Sequence, residues 1–187
     1  VILEADCSIV YDANATNSAL PKLMGCNLGS EATPTNFVRC IPAIANVDGV
    51  GRAEIFGGNL AYTYDQATSA WKILWEDRAD ASTQRDGFVA IAELLPDATS
   101  VGPELVVVSN NPSTGSGEVY LRNATSGAVV WGPKTIKGNG GPPTVADFDG
   151  DGHPEFAAAT LEEYIVFDVR AGAAVDGILW KKTTQDK

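Results

Sequence analysis

Three aspartates fall at every second position of one short stretch near the end of the chain. Asp147, Asp149 and Asp151 lie in "DFDGDGHPE", and Glu155 closes the stretch. Carboxylates placed so closely repel one another unless a cation lies between them. Calcium takes about six to eight oxygen ligands and tolerates irregular geometry, which suits a loop of this kind. The sequence therefore predicts a Ca²⁺ site at these residues.

The residues between the acids support the same interpretation. Gly150 and Gly152 can adopt the positive φ angles that curl a backbone around a point, and we expect the carbonyl oxygen of His153 to join the ligands. This is the only histidine of the chain and no cysteine is nearby, so metals that prefer nitrogen or sulfur are disfavoured. The loop differs from an EF-hand, because its last acid comes three positions early. The alternative is a plain acidic turn whose aspartates bond to the backbone.

An earlier stretch, "NVDGVGRAE", has the same layout with fewer acids. It offers Asn46, Asp48 and Glu54, but Val50 stands at the position that corresponds to Asp151. Fewer carboxylates mean weaker binding. We expect either a weak second calcium site here or an empty turn held by its own side chains.

Both acidic stretches belong to a larger unit that recurs along the chain. Apolar runs flank each of them, and a third copy, "FVAIAELLPDATSVGPELVVVS", lies between them with a longer loop. In that copy the acids Glu93, Asp97 and Glu104 are irregularly spaced, and we expect no metal there. An aromatic-rich alternating run, a polar turn and a run ending in tryptophan follow each copy. A period of roughly 40–50 residues with four short strands per unit is typical of β-propeller blades.

The units divide the chain into one all-β domain, a β-propeller segment of about three and a half to four blades. We place an incomplete blade at 1–41 and complete blades at 42–85, 86–137 and 138–187. Propellers typically have about four to eight blades, so we expect a fragment of a larger protein. Uncovered sheet faces and strand edges promote association, and a homodimer that completes a ring is one way to cover them.

Composition excludes some functions. The 187 residues carry a net charge of −11 without Lys/Arg clusters, which argues against a nucleic-acid partner. No apolar run approaches the roughly 18 residues that span a bilayer. A single histidine and the lack of a Gly-x-Ser-x-Gly motif disfavour a catalytic triad, so we expect no enzyme activity.

The three cysteines allow one local disulfide. Cys26 and Cys40 bracket a polar loop that a disulfide can close, and the alternative is two unrelated buried thiols. Cys7 is left without an obvious partner.

The stretches "VADFDGDGHPEFAAAT" and "IANVDGVGRAEIFGG" resemble FG-GAP repeats, also called VCBS repeats, the units of integrin-α-like β-propellers. The resemblance implies a seven-bladed ring, Ca²⁺ in the loop between the inner two strands of a blade, and an extracellular or cell-surface role in adhesion or ligand binding. It carries the calcium ligands over to Asp147, Asp149, Asp151, His153 and Glu155. Val50 and the longer third loop depart from the family pattern.

These observations favour a non-enzymatic, calcium-binding scaffold or interaction module of a secreted or surface protein, with an unknown protein or glycan as its ligand. One alternative is a lectin-like propeller that binds carbohydrate through tryptophans. Their recurrence at strand ends is also what packing between blades would produce. The four candidates are Trp71, Trp75, Trp131 and Trp180. A propeller hydrolase or lyase is the less favoured alternative.

Overall fold

The structure is a computed structural model that describes residues 2–3, 9–11, 41–77, 87–111, 115–170 and 176–184. Every helix or strand in these residues is a β-strand, which confirms the predicted all-β class. The strands are β1 (Ile2–Leu3), β2 (Ile9–Tyr11), β3 (Ala43–Ala45), β4 (Glu54–Phe56), β5 (Leu60–Asp65), β6 (Ala70–Glu76), β7 (Gly87–Ala92), β8 (Glu104–Asn111), β9 (Ser116–Asn123), β10 (Val129–Ile136), β11 (Thr144–Ala146), β12 (Glu155–Ala159), β13 (Glu163–Phe167) and β14 (Ile178–Thr183).

Twelve of these strands form three four-stranded antiparallel sheets. Sheet I contains β3–β6, sheet II β7–β10 and sheet III β11–β14, and in each sheet the strands pair in chain order. The sheets agree with the predicted four-strand units. Of the incomplete unit predicted at 1–41, the structure describes β1 and β2, which pair antiparallel. Cys7, Cys26 and Cys40 lie outside the described residues, so the disulfide stays a prediction.

Sheet II lies between the other two sheets and is buried on both faces. Alternate residues of β8 explain how: Leu105 and Val107 pack in one apolar core with Phe56 of sheet I. Val106 and Val108 point the other way, into a second core with Phe156 of sheet III. A strand buried on both faces needs a continuous apolar run rather than alternation, and "ELVVV" supplies it.

Tryptophans on the outermost strands connect each sheet to the next. The indole of Trp75 in sheet I packs on Gly127 of sheet II, and its Nε1–H donates to the Ala124 carbonyl at 2.7 Å. In the same way Trp131 of sheet II packs on Gly177 of sheet III. Both glycines have positive φ, 76° and 72°, in the hairpin before the last strand of their sheet. Glycine is required at both positions for two reasons: it allows the positive φ angle, and it leaves room for the indole ring.

A buried arginine reinforces the contact between sheets I and II. Arg122 is fully buried, and its Nη1 donates to Asp77 Oδ2 at 2.9 Å and to the Gly127 carbonyl at 2.6 Å. Its guanidinium also lies over the rings of Trp75 and Tyr120, at 5.8 and 5.4 Å. The desolvated charge is therefore paired, hydrogen-bonded and stacked, as a buried arginine must be.

Replacing Gly127 with alanine tests the tryptophan contact. A Cβ at Gly127 would lie 2.5 Å from the Trp75 ring, whereas a Cβ at Gly102, also at positive φ, meets nothing within 4 Å. We expect Gly102→Ala to lower the free energy of unfolding by about 1 kcal/mol through backbone strain alone. Gly127→Ala should lose a further ~1–3 kcal/mol through overpacking. Urea unfolding of both variants measures the difference, and equal losses would contradict the close approach.

Candidate metal centre

The acidic loop joins the first two strands of sheet III and is anchored at both ends. Ala146 ends β11 and pairs with Glu155, which begins β12. One carboxylate oxygen from each of four residues falls within 4.8 Å of the others in the set; they are Asp147, Asp149, Asp151 and Glu155. No other such group of three or more His, Cys, Asp or Glu side chains occurs in the described part of the chain.

Backbone N–H groups hold the three aspartates in place. Asp147 Oδ1 accepts from the N–H of Gly150 and Asp151, at 2.7 and 3.1 Å, and its Oδ2 accepts from Gly152 at 3.0 Å. Asp149 and Asp151 each accept, through Oδ1, from the N–H two residues later, at 3.1 and 2.8 Å. A carboxylate has about four lone-pair sites, so these bonds still leave room for a cation. The observed acidic turn is therefore compatible with the predicted metal site, and the binding of a metal stays a prediction.

Glu155 forms the buried floor of the loop. It is only 2% exposed, and its Oε2 accepts from the N–H of Phe148 at 2.6 Å. Burial raises the pKa of its carboxyl above the ordinary value; the Phe148 N–H opposes this, and the negative charges of Asp149, Asp151 and Asp147 add to it. A divalent cation among these carboxylates would favour their charged forms.

The predicted ligand His153 directs its backbone N–H to Asp151 Oδ1. Its side chain is exposed. That its carbonyl oxygen binds a metal stays a prediction.

A buried glutamate occupies the same position in all three sheets; the repeat contains all three acids, but their shared burial was not predicted from the sequence. Each one begins the second strand and pairs with the last residue of the first strand. Each also accepts N–H groups from the loop between those strands. Glu54 accepts from Val47 at 2.9 Å, and Glu104 accepts from Leu94 and Leu95, both at 2.9 Å. The signal was present in the sequence as an acid directly before an apolar run in every copy.

The loop of sheet I contains the weaker predicted set. Asp48 Oδ1 accepts from the Val50 N–H at 2.8 Å, and Asn46 Nδ2 lies 3.5 Å from the Gly51 carbonyl. Glu54 lies beneath them, fully buried. Arg52 stands at the position of His153 and places its guanidinium 4.4 Å from the centre of the Tyr64 ring. The loop thus combines fewer carboxylates with a fixed positive charge, and weak calcium binding there stays a prediction.

In sheet II the longer loop keeps a buried carboxylate without the aspartates. Glu104 Oε1 is buried and has no hydrogen-bond partner in the described part of the chain. The pKa of Glu93 is raised, first by burial and then by the negative charges of Glu104 and Asp97, while Arg170 opposes the rise. The expectation that no metal binds here stays a prediction.

The four tryptophans differ in exposure. Trp75 is buried, Trp71 and Trp131 are half-buried, and Trp180 is 40% exposed. The ring of Trp180 lies 6.1 Å from Phe148, in the acidic loop, and 6.0 Å from Tyr164. A cluster of one exposed and two half-buried aromatic rings therefore lies beside the candidate metal centre.

Comparisons with family models, with curated proteins and with solved structures find no match to this chain. The described residues also contain no helix with the length and apolar character needed to cross a membrane.

The raised pKa of Glu155 predicts how stability depends on pH without metal. A carboxyl whose pKa is higher in the folded state binds its proton more tightly there. The free energy of unfolding should therefore fall as the pH rises from about 4.5, the ordinary value, through the raised pKa. We expect Glu155→Gln to flatten this fall, because glutamine keeps a hydrogen-bond acceptor for Phe148 and carries no charge. Urea unfolding in EDTA across this pH range measures it, and an unchanged slope in the variant would contradict the assignment.

Proposed function

We propose that the protein is a non-enzymatic, calcium-binding scaffold or interaction module, built as a segment of an integrin-like β-propeller of FG-GAP type. The observation that carries the proposal is the convergence of four carboxylates, three exposed and one buried, in the loop 147–155. A shared position for a hard cation explains why so many like charges are held together.

Calcium is the metal that the donor set favours. The cluster offers only oxygen ligands, so zinc, copper and other metals that prefer nitrogen or sulfur are disfavoured. Magnesium demands near-octahedral geometry and keeps several waters. Aspartates spaced along one curled loop fit the larger and more adaptable Ca²⁺ coordination sphere better.

The arrangement of the sheets supports the propeller part of the proposal. Sheet II is covered on both faces by its neighbours through equivalent tryptophan–glycine contacts. Ile41, just before the first strand of sheet I, forms a bridge with Phe88 in the first strand of sheet II. First strands that lie next to one another while the sheets stack face to face are expected around a propeller axis.

The chemistry of the loop supports the proposed role in a secreted or surface protein. Extracellular calcium modules often have dissociation constants of about 10⁻⁴–10⁻³ M, and an exposed loop with few buried ligands suits that range. The ligand is an unknown protein or glycan. For the lectin-like alternative, the exposed Trp180 is a better candidate than the half-buried Trp71.

Calcium should stabilise the protein through sheet III. Free Ca²⁺ at 100 times its dissociation constant should add about 2.7 kcal/mol to the free energy of unfolding, and EDTA should remove the gain. We expect Asp149→Asn to lose most of this response because it removes a carboxylate from the centre. Thermal melts with and without Ca²⁺ measure the effect.

Asp48→Asn is the matched control, since Asp48 has the same place in the sheet I loop. The Asp48→Asn variant should keep the gain in thermal stability that low concentrations of Ca²⁺ give the parent. A melt that does not change on adding Ca²⁺ or EDTA would contradict the calcium proposal, and a larger response to Mg²⁺ would contradict the choice of metal.

Self-association is the second part of this proposal that can be measured. Trp75 is covered by the neighbouring sheet, whereas Trp180 is exposed. A second copy that completes the ring would bury Trp180. We expect light scattering to give the mass of two copies at high concentration, and Trp180→Ser to lower that association. A monomer at all concentrations would contradict the homodimer.

A further inference from the structure

The segment between sheets II and III contains a pair of residues with reactive chemistry. Asn139 is exposed and is followed by Gly140, which is buried. We infer that Asn139 is a site of spontaneous deamidation and that Asn110 restrains the reaction in the folded protein. The inference is independent of the calcium proposal.

The reaction needs only water. The backbone nitrogen of Gly140 loses its proton and attacks Cγ of Asn139, so that a C–N bond forms and the side-chain amide leaves as ammonia. Water then opens the resulting five-membered succinimide at either carbonyl, which yields aspartate or isoaspartate. A glycine after the asparagine favours ring closure, since no side chain hinders the approach. No oxidation or reduction occurs.

In the folded protein the nucleophile of this reaction, the backbone nitrogen of Gly140, is engaged in a hydrogen bond. The N–H of Gly140 donates to Asn110 Oδ1 at 2.7 Å, and Asn110 Nδ2 donates to the Gly140 carbonyl at 3.1 Å. Asn110 thus pairs with both sides of the residue, as a neighbouring strand would. Attack on Asn139 requires this hydrogen bond to break first, so the fold should slow the reaction.

Packing explains why a labile pair persists at this place. A Cβ on Gly140 would overlap Cγ1 of Val108 and lie 2.8 Å from Cδ1 of Ile136, so a larger residue does not fit. Both of those side chains belong to the core between sheets II and III. The glycine is fixed by the junction of the two sheets, and Asn110 at that same junction supplies the restraint.

The product would disturb the same junction. Isoaspartate adds one atom to the main chain directly before Gly140, and either product adds a negative charge. The next residue, Gly141, donates its N–H to the Ala159 carbonyl of sheet III at 2.9 Å. A lengthened backbone cannot keep this bond and both Asn110 bonds in their present geometry.

The test compares deamidation rates in the folded chain at mildly alkaline pH, by peptide mapping and mass spectrometry. Asn110→Ala should raise the rate at Asn139 about tenfold, which corresponds to about 1.4 kcal/mol for the lost hydrogen bond. Asn110→Asp keeps an oxygen acceptor for the Gly140 N–H, and its rate should stay near that of the parent. Asn139→Gln, which places the amide one carbon further from the nitrogen, should lose the product.

Three results would overturn the inference. The first is an equal rate of deamidation at Asn139 in the parent and in Asn110→Ala, and the second is an equal acceleration by Asn110→Asp and Asn110→Ala. The third is the absence of a deamidated product at Asn139 even in unfolded chains. Unfolding in urea should bring the parent and Asn110→Ala to the same rate, because the restraint exists only in the fold. If Asn110→Ala does not fold, the ratio of unfolded to folded rates in the parent decides, and a ratio of one would count against the restraint.

Discussion

A buried carboxylate at the start of the second strand organises each sheet. Burying a charged or polar group is costly unless donors surround it, and here the donors are backbone N–H groups of the preceding loop. The loop must therefore fold back over the glutamate in all three sheets, whatever its other residues are. Strand pairing fixes the position of Glu54, Glu104 and Glu155, and the glutamates in turn fix the loops.

The loops above the three buried glutamates differ in how their charge is balanced. In sheet III three aspartates join Glu155 and create an excess of negative charge at one point. In sheet I, Val50 replaces one of those acids and the guanidinium of Arg52 lies against the adjacent hairpin. In sheet II the longer loop places two N–H groups on Glu104 instead. The charge around the same backbone position is thus arranged in three ways, and only sheet III brings four carboxylates together.

Local patterns were enough to predict the strands and the acidic loop. Alternating aromatic and apolar residues, with a tryptophan near the end of each unit, gave the four-stranded sheets. The spacing of Asp147, Asp149 and Asp151 indicated a clustered loop. These features depend on neighbours in sequence, where side-chain periodicity and turn chemistry act.

Contacts between distant residues were not predictable in this way. Arg122 forms an ion pair with Asp77, 45 positions earlier in the chain. In the sequence both residues look like ordinary surface charges, so this pairing could not be predicted. The contacts of Glu104 with the N–H groups of Leu94 and Leu95 were not predictable either, because they depend on how the longer loop folds back over the strand. Likewise, Trp75 is buried and Trp180 is exposed because only the sheet of Trp75 has a further sheet packed on that side in the described part of the chain.

A side chain at one hairpin position distinguishes sheet I from the other two sheets, and it decides where an indole can pack. Ser69 adopts a positive φ of 53° in the hairpin before β6, where Gly127 and Gly177 stand in the later sheets. A Cβ at Gly127 or Gly177 would lie 2.5 or 2.8 Å from the tryptophan ring that packs there, so no side chain fits beneath the indole. A tryptophan therefore cannot pack on the hairpin of sheet I in the way that Trp75 and Trp131 pack on the hairpins of sheets II and III.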